Sequence, residues 1–492
     1  VPAWLGVILI GQTALGLVLQ NGPFQDEATF IYAGRQYVEA LAGGPPVSEP
    51  YARYFAGLPY LQPFALGALS LLGGLEAARA LSTVLLLGVT VAVFVLTRLL
   101  LDERSALVAA AIFAVQAPVL FLSRIATYDA GSLVLLSFAA VLAVAAPRQT
   151  TGRGLDLAAG AALLTAGALL VKYSALMFVP VIVALLVVEA WRSAGPRRVA
   201  ALVATMVAVW LGLTVIAVVF FRGSLATDVW NGLSFSVEVK RLGTANLERL
   251  LGERFLELVP GLAILALVGA LVLVGQRPWL VVVLGGGFLI APLYHLVRGE
   301  VVSLHKHVAY GAVFAAPLAG YALARWWGDR RAVALGVRRG STVVMLGLLA
   351  LNGMNGARLL YSEWPDGRAV AELVRGELTP TSRVLAEEYE IPRLAANGLL
   401  PDRNWVSTEW TGPTYAWPYP ASRDGARGAA AMREAIEDGW FDVIALRYGP
   451  TEEIAKQLAP IIRQSGHYRE IASIPYRTRF GEGRYDVWKR SS

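Results

Sequence analysis

Apolar runs of bilayer-spanning length recur from residue 3 to about residue 356, and none follows. About 20 consecutive apolar residues cross lipid as a helix, because only a helix satisfies the backbone of an isolated segment there. The pattern therefore dictates a polytopic membrane domain. Candidate spans lie at about 3–20, 78–100, 105–122, 128–146, 155–171, 174–191, 199–221, 258–275, 278–296, 307–325 and 341–357. Past residue 357, charged residues, aromatics and prolines crowd the chain, so the expected division is a membrane domain, 1–357, and a soluble domain, 358–492.

Eleven spans put the N-terminus and the soluble domain on opposite sides. One set of loops is short and basic, holding Arg98 and Arg104, Arg148 and Arg153, Arg192 with Arg197 and Arg198, Arg277, and Arg325 through Arg339. Such loops stay in the cytoplasm. The long segments 21–77 and 222–257 and the soluble domain then face outward. Leu58–Leu75 is apolar but carries Pro59 and Pro63. Counting it as a span would reverse every later loop, so it is expected as a helix in the outer interface. The segment 3–19 lacks a basic n-region and a clear cleavage site, which predicts a retained first span.

Composition closes several doors. With no cysteine, disulfides, Fe–S clusters and thiolate zinc sites are excluded. The net charge of +7 reflects loop arginines that topology explains, so no nucleic-acid partner is expected. The soluble part alternates short apolar strands (383–386, 442–447, 468–474, 485–489) with helical stretches near 427–438 and 452–465, predicting a small α/β domain. It holds no Gly-rich phosphate loop.

Charged residues at a membrane edge are costly and need a reason. Asp26 and Glu27 follow the first span directly, and Asp129 opens the fourth on the same outer face. Asp26 is either an interfacial cap or a general base, and the latter needs one carboxylate at a reacting hydroxyl. Glu27 takes a supporting role, since adjacent side chains diverge. Asp129 is either half of a structural pair with Arg124 or part of a catalytic set. Lys172, Lys240 and Lys306, with Arg53, Arg79, Arg124, Arg241 and Arg298, fall at outward ends of spans or in outer loops. They suit either lipid phosphates or an anionic head group. His295, His305 and His307 offer an H-x-H pair for a divalent metal, for phosphate or substrate contact, or for packing. On a helix the pair would diverge, against a shared metal. Tyr54 and Tyr60, in the first outer loop, are candidate substrate contacts.

These features occur together in a known pattern. A D-E pair follows the first span, then a Pro-containing outer helix, and Arg79-Ala80-Leu81-Ser82 opens the second span. Thr127-Tyr128-Asp129 opens the fourth, a lysine follows the fifth, and an extracytoplasmic domain ends the chain. This resembles the GT-C superfamily of membrane glycosyltransferases, in the bacterial branch akin to protein O-mannosyltransferases and the aminoarabinose transferase of lipid A. The resemblance implies Asp26 as base, Asp129 as the fourth-span acid, and Arg79, Lys172 and Lys306 at the lipid phosphate; Arg53 and Arg124, placed on the same face by topology, are further candidates for that phosphate. It also implies a polyprenyl-phosphate sugar donor, and a glycan, glycolipid or protein as acceptor. The D-x-D and W-W-D-Y-G signatures of oligosaccharyltransferases are absent. Gly57-Leu58-Pro59-Tyr60-Leu61-Gln62-Pro63 stands where aminoarabinose transferases commonly read Lys-Pro-Pro-Leu.

The expected reaction is inverting transfer of a single sugar on the outer face. Cations hold the leaving phosphate, so no cofactor is required, and a divalent metal stays an option at the histidines. A transporter or flippase of a lipid-linked or anionic substrate is the alternative.

Overall fold

The computed structural model describes residues 2–220, 224–238, 247–299, 301–328, 335–412 and 415–491. Lys240 and Arg241 lie outside them. Among the described residues, eight helices are long and apolar enough to cross a membrane, or up to ten if each of two sharply bent pairs is one span, and a shorter apolar helix covers Ala3–Leu17. Contacts divide the chain into two units. The first comprises Val1–Leu19, Pro50–Leu66 and Glu76–Leu360; the second comprises Gln20–Glu49, Gly67–Leu75 and Tyr361–Ser492.

In the first unit, Leu304–Trp327 is the central span, with 94% of its apolar window buried. Pro196–Phe220, at 11%, is peripheral and leaves its side chains to lipid. Proline sets several helix starts, where its missing N–H costs nothing. Pro118 and Pro260 begin the second halves of the bent pairs, Glu103–Ala114 with Ala117–Ser123 (67°) and Leu251–Leu258 with Pro260–Leu273 (86°). The span expected over 105–122 is a bent pair of helices. Pro63 likewise falls in a first turn, that of Gln62–Leu100, and does not interrupt the apolar segment 58–75. The interruption comes from Gly73 and Gly74, whose backbones leave helical geometry, Gly74 at φ 64°.

The second unit is built on a five-stranded sheet of order β2-β1-β3-β5-β4. Its strands are β1 (Val384–Ala386), β2 (Trp405–Ser407), β3 (Val443–Leu446), β4 (Tyr468–Thr478) and β5 (Gly481–Arg490). The first three pair in parallel and the β4–β5 hairpin joins β3 antiparallel. Because successive side chains alternate, the short strands feed two cores at once. Leu385, Val406, Ile444 and Trp488 meet the helices Gly428–Glu437 and Glu452–Gln464 through Met432, Ile436, Leu458 and Ile462. Val384, Trp405, Val443 and Val487 face Val370, Val374 and Ala396 from the helices Arg368–Gly376 and Glu390–Ala396. The predicted α/β pattern holds, with β2 and these last two helices added.

The helix Gln25–Leu41 belongs to this second unit. The Asn21 amide donates to the carbonyls of Tyr361 (2.7 Å) and Trp364 (3.1 Å), and the Trp364 indole donates back to Gly22 (3.2 Å). Farther along, the Tyr32 hydroxyl donates to Asp402 (2.7 Å), and the Arg393 guanidinium lies 4.4 Å from the Tyr32 ring centre. At Gly67 a Cβ would lie 2.2 Å from the backbone of Gly34, so two glycines let these segments touch.

Glu387, following β1 and 1% exposed, accepts four backbone N–H groups from the loop after β3: Arg447 (2.8 Å), Tyr448 (2.7 Å), Gly449 (2.8 Å) and Thr451 (2.9 Å). Truncating it strands four donors. Glu387→Ala is expected to cost about 3 kcal/mol or more, read as lost hydrogen-exchange protection of amides 447–451 in the full-length protein. Unchanged protection would refute the role.

Candidate active site

Lys172 lies where the helix Thr151–Val171 stops, with its backbone extended at φ −150° and ψ 119°. The segment around Gly57 clamps this break from both sides. Leu58 N–H donates to the Leu170 carbonyl at 2.8 Å, and Tyr173 N–H donates to Ala56 at 2.9 Å. Gly57 stands between them, where a Cβ would lie 1.9 Å from the Val171 carbonyl oxygen. Only glycine permits that approach. The loop motif thus fixes the lysine through backbone bonds.

Asp129 occupies the first turn of Asp129–Ala145, where the helix dipole favours an anion. It is fully buried. Lys172 Nζ donates to one carboxylate oxygen, and the Thr127 hydroxyl donates to the other at 3.0 Å. Lys306, 6% exposed at the start of Leu304–Gly328, adds a second positive charge acting on the same carboxylate. The Tyr310 hydroxyl donates to the Asp129 carbonyl at 3.2 Å, and Lys172 Nζ lies 5.5 Å from the Tyr128 ring centre. An unpaired ion here would cost several kcal/mol, and pairing removes most of that cost.

The partner of Asp129 is therefore Lys172, across 43 residues, while Arg124 binds Glu76 at 2.5 Å. Arg79 reaches the same Glu76 at 3.4 Å from one helical turn away. Both arginines are buried, whereas the Glu76 side chain is 63% exposed. Glu76 was not singled out from sequence, although its i, i+3 spacing to Arg79 is the visible signal. Four buried cations and two carboxylates thus belong to the same ends of neighbouring spans.

The remaining candidates divide. His307 Nδ1 is 2.9 Å from His295 Nε2, while His305 sits edge-on to Phe121 with ring centres 5.1 Å apart. The H-x-H pair diverges, as helical spacing requires. Among the described residues, no three His, Asp or Glu side chains converge as a metal-ligand set. The Tyr60 hydroxyl donates to Asp228 at 3.1 Å. Tyr54 packs in a ring cluster with Tyr51 and Phe55, and Arg53 is exposed.

In the second unit, Glu27 is fully buried and accepts the Phe24 N–H at 2.9 Å, closing the start of its own helix. Asp26 is half-buried. Beside it the Gln25 amide donates to Glu390 (3.1 Å) and Glu409 (3.4 Å). Neither glutamate stood out in the sequence. Burial pushes the Glu390 carboxyl up to about 8; Glu409 adds to the rise and Gln25 opposes it. Burial also raises Glu409, against the Gln25 hydrogen bond and with help from the charges of Glu387 and Asp26.

No family model and no curated sequence matches the chain. Solved structures do. ArnT from Cupriavidus metallidurans in the apo state aligns over 99% of this chain and 98% of its own, at TM-score 0.58 and 15% identity. The Archaeoglobus fulgidus oligosaccharyltransferase aligns over 98% and 74%, at 0.56 and 11%. The mycobacterial arabinofuranosyltransferase AftD aligns over 100% of this chain but 42% of its own, at 0.56 and 13%. The chain has the fold of the GT-C membrane glycosyltransferases.

The Glu390 shift carries a pH signature. A carboxyl raised on folding stabilises fully below its unfolded value of 4.5, and the effect drains away as pH rises through about 8. The second unit should therefore lose stability over that window, measured by chemical denaturation of the full chain with tryptophan fluorescence. Glu390→Gln should flatten the slope; an unchanged slope would assign it elsewhere.

Proposed function

We propose that this protein transfers a single sugar from a polyprenyl-phosphate donor to an acceptor hydroxyl or amine on the extracytoplasmic face of a bacterial inner membrane. The observation carrying this is two sets of buried cations, Lys172 and Lys306 on Asp129 and Arg79 and Arg124 on Glu76. Buried cations held in place suit a phosphate whose charge grows as it leaves, and their preorganisation lowers the barrier. A second ArnT structure, bound to undecaprenyl phosphate, aligns over 99% of this chain at TM-score 0.57 and 14% identity, which supports a donor of that class.

In this reading Lys172 and Lys306 bind the donor phosphate, and Asp129 positions Lys172 rather than moving protons, because both its oxygens are engaged. Arg79 and Arg124 act with them, oriented by Glu76. Asp26 takes the acceptor proton as the acceptor attacks the anomeric carbon. The bond to phosphate breaks on the opposite side, with inversion. Glu27 sets the helix that carries Asp26. Arg53, Tyr54, Tyr60, His305 and His307 remain candidates for contact with donor or acceptor. One Archaeoglobus oligosaccharyltransferase structure is a complex with Zn and sulfate. The present reading gives a metal no step.

Purified protein in nanodiscs, supplied with radiolabelled polyprenyl-phosphate sugar and envelope extract as acceptor, should move label. Asp26→Asn should lower turnover by about a hundredfold or more with donor binding retained. Lys172→Met should weaken donor binding itself. Near-normal transfer by Asp26→Asn would overturn the base assignment. Uptake into sealed vesicles without transfer would favour a transporter.

A further inference from the structure

Three spans that carry proposed-site groups at one end, and a fourth whose His295 contacts His307, carry a second set of charges at the other. Asp129–Ala145 runs on to Arg148; the segment after Lys172 ends at Glu189 and Arg192; Leu304–Gly328 runs from Lys306 to Tyr321 and Arg325; and Pro278–Arg298, with His295 near its end, begins after Arg277. At 1.5 Å per helical residue, Arg148 lies about 28 Å from Asp129.

These far ends line a cavity of about 610 Å³. Its floor is an ion network around Glu189, which is 4% exposed. Arg148 donates to one Glu189 oxygen at 2.7 Å, and Arg277 donates to the other and to the Leu100 carbonyl. The second acid in the wall, Asp102, spends both oxygens on Ser105, taking its N–H at 2.9 Å and its hydroxyl at 2.8 Å. Among the described residues, no carboxylate is paired with either of the other two arginines. Arg325 donates to the Tyr321 hydroxyl at 2.7 Å and lies 5.0 Å from that ring's centre. Among the described residues, no carboxylate pairs with Arg192. Four arginines thus face two acids whose oxygens are already occupied.

We infer that this cavity is a binding site for a phosphate-bearing anion, separate from the donor site. A phosphate accepts guanidinium bonds in bidentate fashion and matches the charge left over. Arg148 and Arg277, locked on Glu189, form a preorganised wall; Arg192 and Arg325 close on the ligand. The phosphate comes from a lipid head group or from a soluble phosphate ester. The site does not depend on glycosyl transfer.

Native mass spectrometry of the delipidated full-length protein tests this, titrating short-chain phosphatidate, phosphatidylcholine of equal chain length, and inorganic phosphate. Wild type should retain phosphatidate over phosphatidylcholine. Retention should fall about tenfold in an Arg192→Gln/Arg325→Gln variant, the loss of about one charge-assisted contact. Ser193→Glu, at an exposed rim position, should do the same without disturbing the floor. Lys172→Met should leave this retention intact. If millimolar inorganic phosphate displaces phosphatidate, a soluble phosphate suffices; if it does not, the lipid is the source. Equal retention of both lipids, or of phosphatidate by wild type and Ser193→Glu, would overturn the site.

Discussion

A buried ion pair sets the terms for the membrane unit. Asp129 and Lys172 sit at the ends of different spans and are both withdrawn from water. Neither charge is tolerable alone in that setting. Their pairing requires two helix ends to meet, which constrains the spans behind them. It also requires an extended lysine backbone, and the segment around Gly57 supplies the bonds that hold it. Thr127 and Tyr310 complete the arrangement by occupying polar groups that a lone ion pair would leave idle.

Much of this was legible in the sequence and part of it was not. Apolar run length located the spans, because lipid permits few alternatives for a backbone. Strand patterning found the sheet's long hairpin and parallel centre, but missed β2, a three-residue strand too short to show a period. The bent pairs escaped because a proline within an apolar run looks the same whether it starts a helix or kinks one. The polar pairings escaped for a different reason. Lys172 was notable for lacking an acid nearby in sequence, and its partner is 43 residues away. Arg124 lies closer to Asp129 in sequence and is bound to Glu76, since direction, not separation, decides which charges meet.

The neighbours Asp26 and Glu27 show how position divides like chemistry. Glu27 is spent on its own helix start, a role fixed by the three-residue spacing to Phe24. Asp26, one residue earlier, keeps partial exposure. Around it Glu390 and Glu409 share the Gln25 amide, and burial of Glu390 favours its protonated form. A carboxyl of that kind lowers the density of negative charge beside Asp26 at neutral pH.

The pairing of residues 20–49 with residues 361–492 also bears on how the protein is made. Asn21 is bound to Tyr361 across 340 positions. During synthesis the Gln25–Leu41 helix emerges before the spans between residues 76 and 360, and its packing surface emerges after them. Every intervening span must be inserted before the two can meet, and closing so long a loop is slow. The second unit is thus assembled from segments made on either side of those spans, and its completion reports that they are already in place.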